Sequence, residues 1–273
     1  MRKRRWIILG TALVATVVLV FGVGGGFGPK ANNALVNELP LAHFAHRGSY
    51  AIFPENCMGG IAHAIASGYD GVELDVRVTK DQVFVLFHDD SCARLLGLDG
   101  LLADHPLAAL QARPLIRNHV ISEERVPVLD EVLRTFGDST LFYLDMKVSG
   151  LDHADRLAAM IAAAGLERRV LVASSSIPFI TYLEFHHPEI QTLLEGFDRG
   201  EEWTWWLFPK HFRPDFLSSF ASEVDDGHLD WLRAQDLLRN KFVYGMDSAA
   251  YARMRAAGLT RLIVQEGVPP IGR

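Results

Sequence analysis

Several things are scarce in this sequence. Only two cysteines, Cys57 and Cys92, occur in 273 residues, so a cystine-stapled secreted scaffold is excluded. Twelve prolines with no glycine-proline period exclude a collagen-like chain. Hydrophobic residues make up 49% of the chain, too many for disorder and enough to bury a large core. Positive charge is short as well. The formal charge of −6 becomes −10 once the four cations Arg2, Lys3, Arg4 and Arg5 are set aside. A body so acidic lacks the basic footprint that nucleic-acid binding requires. If it handles a phosphate ester, a metal cation is needed beside it.

What the chain does have begins at the N-terminus. Residues 6–28 carry no charged side chain, and at 1.5 Å per helical residue they suffice to cross a bilayer core of about 30 Å. No small-x-small cleavage site stands out near Ala31 to Ala34, so the stretch reads as a retained signal-anchor, with a cleavable signal peptide as the alternative. The positive-inside rule then leaves residues 1–5 in the cytoplasm and the body outside it, periplasmic or extracellular. Gly22, Gly24, Gly25, Gly26 and Gly28 follow this segment and lack a Gly-Lys-Ser/Thr ending, so they lead into a linker over 29–41 and do not form a phosphate loop. Residues 42–273 make one domain.

Along that domain, short apolar runs alternate with helical patterns. Strands are expected at Leu41–Ala45, Gly71–Val78, Val83–Phe87, Leu141–Met146, Val170–Ala173, Gln191–Leu194, Phe216–Phe220, Phe242–Met246 and Leu262–Gln265. Helices are expected at Gly59–Ser67, Asp130–Thr135, His153–Ala164, Leu229–Leu238 and Ala249–Ala257. Such alternation means parallel strands with crossover helices. Val76 and Val83 are too close for a helix between them, so the second strand must double back as a hairpin around Lys80, Asp81 and Gln82. Counting that return strand as an excursion leaves eight parallel strands, the number of a TIM (β/α)8 barrel.

Polar groups fall at the strand ends: His46-Arg47-Gly48, Glu73-Leu74-Asp75, His88-Asp89 and Asp145-Met146-Lys147. Residues i and i+2 of a strand share a face, so Glu73 points with Asp75 and Asp145 with Lys147. The hairpin returns His88 to the level of residue 73 or 74, making it a neighbour of Glu73. Three carboxylates with open positions suit a hard divalent cation, Mg²⁺ or Ca²⁺. Two imidazoles, His46 and His88, can take and give a proton near neutral pH. Arg47 and Lys147 supply a bidentate fork and a point charge for phosphate oxygens. Any one of these residues alone is more simply a satisfied core or surface group. Together, so many charges converging on an apolar barrel mouth would be costly without a ligand.

The text in which these residues sit resembles the glycerophosphodiester phosphodiesterase family, relatives of the phosphatidylinositol-specific phospholipases C. The matching segments are His46-Arg47-Gly48, Pro54-Glu55-Asn56, Glu73-Leu74-Asp75-Val76, Thr79-Lys80-Asp81, His88-Asp89, residues 127–133 and Asp145-Met146-Lys147. The resemblance implies a TIM barrel with metal ligands Glu73, Asp75 and Asp145, acid/base residues His46 and His88, and phosphate contacts Arg47 and Lys147. It also implies dependence on Mg²⁺ or Ca²⁺ and release of sn-glycerol 3-phosphate plus an alcohol. In the family's proposed mechanism a glycerol hydroxyl attacks first and water opens the cyclic intermediate. The chain departs from the pattern with Asp145 for Glu, Cys57 for Thr, Tyr244-Gly245-Met246 for Trp-Thr-Val and Gln265-Glu266 for Thr-Asp.

Three weaker features complete the reading. Trp203 to Phe208 is an aromatic cluster suited either to a lid for lipid-like alcohols or to packing on the barrel exterior. Cys57 and Cys92 lie in loops of the catalytic face and are expected as free thiols. His186, His187 and His211 are expected as solvated loop residues. The expected function is metal-dependent hydrolysis of a small glycerophosphodiester at a membrane. The alternatives are lysophospholipase D-type hydrolysis and a catalytically degenerate barrel that only binds a phosphodiester. The sequence names no protein partner.

Overall fold

The computed structural model describes residues 33–209 and 212–264. The basic N-terminal segment, the anchor at 6–28, His211 and the Gln265-Glu266 pair lie outside the described residues. Among the described residues, no helix is long and apolar enough to cross a membrane.

Eight parallel strands close into a barrel: β1 (Ala42–His46), β2 (Gly71–Val78), β6 (Leu141–Met146), β7 (Val170–Ser174), β8 (Gln191–Leu194), β9 (Phe216–Phe220), β10 (Lys241–Tyr244) and β11 (Arg261–Val264). β1 pairs with both β2 and β11, which removes the sheet's edges. Strand β3 (Phe84–Leu86) runs antiparallel on β2, with Val76 opposite Leu86. It is the hairpin excursion that the Val76–Val83 spacing demanded. Its turn is closed by hydrogen bonds between Thr79 and residues 82 and 83, with Gln82 left-handed at φ 64.

Alternation along each strand sorts the core into two layers. Val72, Leu74, Val76, Phe142, Leu144 and Met146 face outward onto helices such as Leu129–Phe136 and Leu151–Ala164. Phe44, Leu141, Tyr143, Leu171, Phe216 and Phe242 fill the interior. A 3-10 turn at Leu35–Glu38, within the stretch read as linker, sets Ala34 and Val36 against the amino-terminal end of that interior core.

Three local expectations need correction. The helix Ile177–His186 is not among the expected elements, and its β-branched and aromatic residues are poor helix formers. It is started by the Ser176 side chain, which accepts from the Phe179 N–H, and by Pro178 in its first turn. His186 is therefore the exposed last residue of a helix, while His187 lies just beyond the helix end, outside regular structure. His186 ends that helix against Tyr182, and His187 pairs with Asp155 at 2.7 Å. The segment after His88, left without structure, folds into short helices (Ala93–Leu96, Leu107–Gln111) and a hairpin of β4 (Ile116–Arg117) and β5 (Val120–Ile121). Elements of two to five residues show no readable period. They close over Cys57, Val85, Phe87, Cys92, Leu96 and Leu110 as a separate small core.

Candidate active site

The seven residues singled out for chemistry meet at the carboxyl ends of the strands. Register pairs His46 with Glu73 and Asp75 with Asp145. Because the intervening residues bury outward, Glu73, Asp75 and Asp145 are forced into the barrel. They are buried, and one ligand oxygen from each lies within 4.8 Å of the others. Nε2 of His46 is 3.7 Å from Glu73 Oε2.

Beyond His46 the chain turns through Arg47 at φ 54 and Gly48 at φ 76. A left-handed arginine is strained backbone of the kind found where function demands it. Two hydrogen bonds hold it: the Arg47 N–H donates to Glu73 Oε2 at 2.9 Å, and the Asn56 N–H donates to the Arg47 carbonyl at 3.0 Å. The guanidinium then lies with Nε 3.2 Å from Asp75 Oδ2 and Nη1 3.1 Å from Glu55 Oε1. Lys147 Nζ is 3.1 Å from Asp75 Oδ1 and also pairs with Asp145. The β2–β3 hairpin returns the chain so that the Phe87 N–H donates to the Asp75 carbonyl at 2.9 Å. His88 follows at the same mouth, as its spacing predicted. Its Nδ1 is 2.8 Å from Asp89 Oδ1, and Asp89 is held in turn by Arg94 Nε at 2.6 Å. His88 and Glu73 thus share a cavity, while the hydrogen bond of the ring goes to Asp89.

That cavity has a volume of about 320 Å³ and is lined by all seven residues together with Glu195, Phe220, Tyr244 and Ile263. Burial, reinforced by the charges of Asp75 and Asp145, pushes Glu73 well above the usual carboxylate range. Burial works the same way on Asp75, but Lys147 and Arg47 outweigh it and hold that carboxyl below its ordinary value. Asp145 is raised by burial, against the pull of Lys147. Burial and the neighbouring Arg47 depress His46 to about 4, so its imidazole is neutral at pH 7. Three oxygen donors so close, one of them forced toward its protonated form by the other two, are the donor set a hard divalent cation relieves.

The profile of the glycerophosphoryl diester phosphodiesterase family matches residues 46–265, most of the chain. The chain belongs to this family. It is 31% identical over 153 residues to a glycerophosphodiester phosphodiesterase of Bacillus altitudinis, covering 53% of this chain and 58% of that protein. It is also 31% identical over 137 residues to one of Caldanaerobacter subterraneus, covering 48% and 56%. The chain therefore spans a little over half the length of the curated relatives it matches. A solved Oleispira antarctica phosphodiesterase, in complex with the product sn-glycerol-3-phosphate, superposes with a TM-score of 0.69 at 21% identity over 84% of this chain and 94% of that one. The eight-stranded barrel is shared with these structures.

Within this glycerophosphoryl diester phosphodiesterase fold, several working groups went unassigned in the sequence. Asn56, left-handed at φ 57, fastens Asp75 twice: its Nδ2 donates to Asp75 Oδ2 at 2.8 Å and its Oδ1 accepts from the Asp75 N–H at 3.0 Å. Glu55 bridges Arg47 and Arg94. Both belong to the Pro54-Glu55-Asn56 motif, where a buried amide after a proline turn was the available signal. Glu195 follows β8 directly, and that position at a strand's carboxyl end marked it. Burial and the Asp145 charge push its carboxyl up to about 8. Tyr143 gave no signal, because only the closed barrel brings its hydroxyl 2.5 Å from Glu195 Oε1.

The departures from the family pattern resolve locally. Cys57, where the family pattern has threonine, caps the helix Met58–Ala66, its Sγ accepting from the Gly60 N–H at 3.3 Å. Both cysteines are buried and free. Strand β10 stops at Tyr244, short of the expected Met246, because Gly245 turns left-handed at φ 68. The aromatic cluster divides: Trp205 is 5% exposed and packs on Phe197 and Trp231, whereas Trp203 and Trp206 are 64% and 60% exposed.

Proposed function

We propose that this protein hydrolyses glycerophosphodiesters to sn-glycerol 3-phosphate and an alcohol with the help of Mg²⁺ or Ca²⁺. The observation that carries the reading is the meeting of His46 and His88 in one cavity with the three carboxylates, Arg47 and Lys147. A pure binding module has no use for two imidazoles beside a phosphate site.

Glu73, Asp75 and Asp145 are the residues that would hold the cation, and the cation would supply Lewis-acid polarisation and charge neutralisation at the phosphodiester. Arg47 and Lys147, already facing the same space, orient the non-bridging oxygens. His46, neutral at pH 7, accepts the proton of the glycerol hydroxyl that attacks phosphorus. His88 donates a proton to the departing alkoxide, with Asp89 fixing its Nδ1 and leaving Nε2 free for the transfer. The cyclic phosphodiester that remains is opened by water with the two imidazoles in reversed roles, which restores both protonation states.

Purified full-length protein should release glycerol 3-phosphate from glycerophosphocholine only when Mg²⁺ or Ca²⁺ is supplied, and a chelator should abolish the release. His46→Ala and His88→Ala should each lower the rate by about 10²-fold or more. Absence of metal-dependent product from any glycerophosphodiester or lysophospholipid would leave the binding module in possession of the site.

The proposal extends to place. Four cations ahead of 23 uncharged residues, Trp6 to Gly28, support a single-pass anchor with the catalytic domain outside the cytoplasm. Protease added to spheroplasts, in which only the cytoplasmic membrane is intact, should then digest the body. Full protection until that membrane is lysed would reject that topology.

A further inference from the structure

Of the two histidines, His46 ends a barrel strand, whereas His88 lies two residues beyond β3, where the chain leaves the barrel for the separate small core. Its ring is oriented by Asp89, whose Oδ1 accepts from Nδ1 at 2.8 Å. The Asp89 side chain is itself 26% exposed, so left alone it could turn to water as readily as to the ring. Arg94 removes that freedom. Its Nε lies 2.6 Å from Asp89 Oδ2 and its Nη2 3.0 Å from Oδ1, the same oxygen that holds the imidazole. At its other edge Nη1 and Nη2 donate to Glu55 Oε2 and Oε1 at 2.9 and 2.7 Å. The short helix Ala93–Leu96 fixes the base of this arm, because Leu95 and Leu96 are buried in the small core. The hydrogen bonds from Arg94 outweigh burial and hold the Asp89 carboxyl at about 2.

Exposed ion pairs in general contribute little to stability, and the Arg94 side chain is 50% exposed. Four hydrogen bonds from one guanidinium are better explained by what they orient. Glu55, His88 and Asp89 bring ligand atoms within 4.8 Å of one another, a spacing that suits a cation. The guanidinium already supplies that charge to both carboxylates, in a planar fork that sets direction as well as distance. We propose that Arg94 is a positioning residue for the proton donor: by clamping Asp89 against Glu55 it holds His88 with Nε2 toward the oxygen of the leaving alcohol. The P–O bond to that alcohol breaks as the Nε2 proton passes to the oxygen, and a ring free to turn would not be in line to deliver it. This rests on the phosphodiesterase reading and adds to it the residue that keeps its acid in place.

Two diesters of glycerol 3-phosphate separate this role from a structural one on the full-length, metal-supplied protein. Glycerophosphocholine has an alkoxide that needs a proton to leave, and the p-nitrophenyl diester a phenolate that leaves without one. Alcohol release is read in a single turnover at saturation, before water opens the cyclic product, so that a change in phosphate affinity through Glu55 and Arg47 does not enter. Arg94→Ala should slow release from the choline diester by about 30-fold and from the nitrophenyl diester by no more than about threefold, within the range that positioned proton transfer supplies. Arg94→Lys, which keeps the charge without the fork and guards against a folding defect, should show the same split at about tenfold. Because the fork is half exposed, added guanidinium should restore Arg94→Ala on the choline diester several-fold and leave the wild type unchanged. An equal fall on both diesters without rescue would make Arg94 a structural residue and overturn the proposal, as would rates on both that match the wild type. If the wild type hydrolyses neither diester, the phosphodiesterase reading itself fails and the positioning role goes with it.

Discussion

At the scale of single residues, the site is organised by the groups that surround its carboxylates. Asp75 is the best example. Burial alone would drive it toward protonation, yet Lys147, Arg47 and the paired amide of Asn56 keep it ionised and pointed at its two carboxylate neighbours. Groups behind a metal ligand typically contribute 10- to 100-fold in affinity. Asn56→Ala is therefore expected to weaken Mg²⁺ or Ca²⁺ binding by about that factor, measured by calorimetric titration. An unchanged affinity would show that Arg47 and Lys147 hold Asp75 without help. Glu73 with Asp75 and Asp145 with Lys147 were legible as pairs in the sequence because i, i+2 spacing at a strand end survives any detail of the fold, whereas His88 was placed by the short hairpin. Asn56, Glu195 and Asp89 were less so, since their roles depend on contacts across 19, 50 and 5 residues with Asp75, Asp145 and Arg94.

At the scale of elements, the connection from β8 to β9 replaces the usual crossover helix with a strap containing the 3-10 helix Glu202–Leu207. One face of the strap belongs to the core. Trp205 packs between Phe197 and Trp231, with the Arg213 guanidinium 4.8 Å above its ring. Trp205→Ala should cost about 3–5 kcal/mol in denaturant unfolding, whereas Trp206→Ala should stay within about 0.5 kcal/mol. Similar losses from both would mean that the exposed ring is also a packing residue.

The same strap is pinned from beneath by Lys241, fully buried at the start of β10, whose Nζ donates to the Phe197 carbonyl at 2.7 Å and pairs with Ser219. Burial depresses this lysine to about 7, with Asp198 and Glu202 only partly opposing. Its folded value lies below the unfolded value of about 10.4. The unfolded chain therefore binds the extra proton between those limits, and stability from this group rises with pH across them and is lost as pH falls to 7. The slope is up to about 1.4 kcal/mol per pH unit. Lys241→Met should flatten the gain in unfolding free energy from pH 7 to pH 9 relative to wild type. An unaltered gain would place the lysine's proton in the folded protein throughout.

At the scale of the whole molecule, the barrel concentrates acid at one end, and that has a measurable consequence without any substrate. Three carboxylates forced together oppose folding unless a cation joins them. A divalent ion that binds only the folded chain stabilises it by about 2.7 kcal/mol at a hundred times its dissociation constant. Millimolar Mg²⁺ or Ca²⁺ should accordingly raise the melting temperature, a chelator should reverse the shift, and Asp75→Asn should abolish it. Persistence of the shift in that variant would move the cation elsewhere.

The local pattern of this sequence was enough to determine the strand alternation, the hairpin after β2 and the shared faces of Glu73 with Asp75 and of Asp145 with Lys147. Each of these follows from the two-residue period of a strand and from chain too short to hold a helix, both of which are properties of neighbouring residues. Tertiary structure alone decided the fold of the segment after His88, the division of the aromatic cluster and the meeting of Arg94 with Glu55. Those features depend on which segments become neighbours when the sheet closes. Such contacts join residues distant in the chain, and no local period records them.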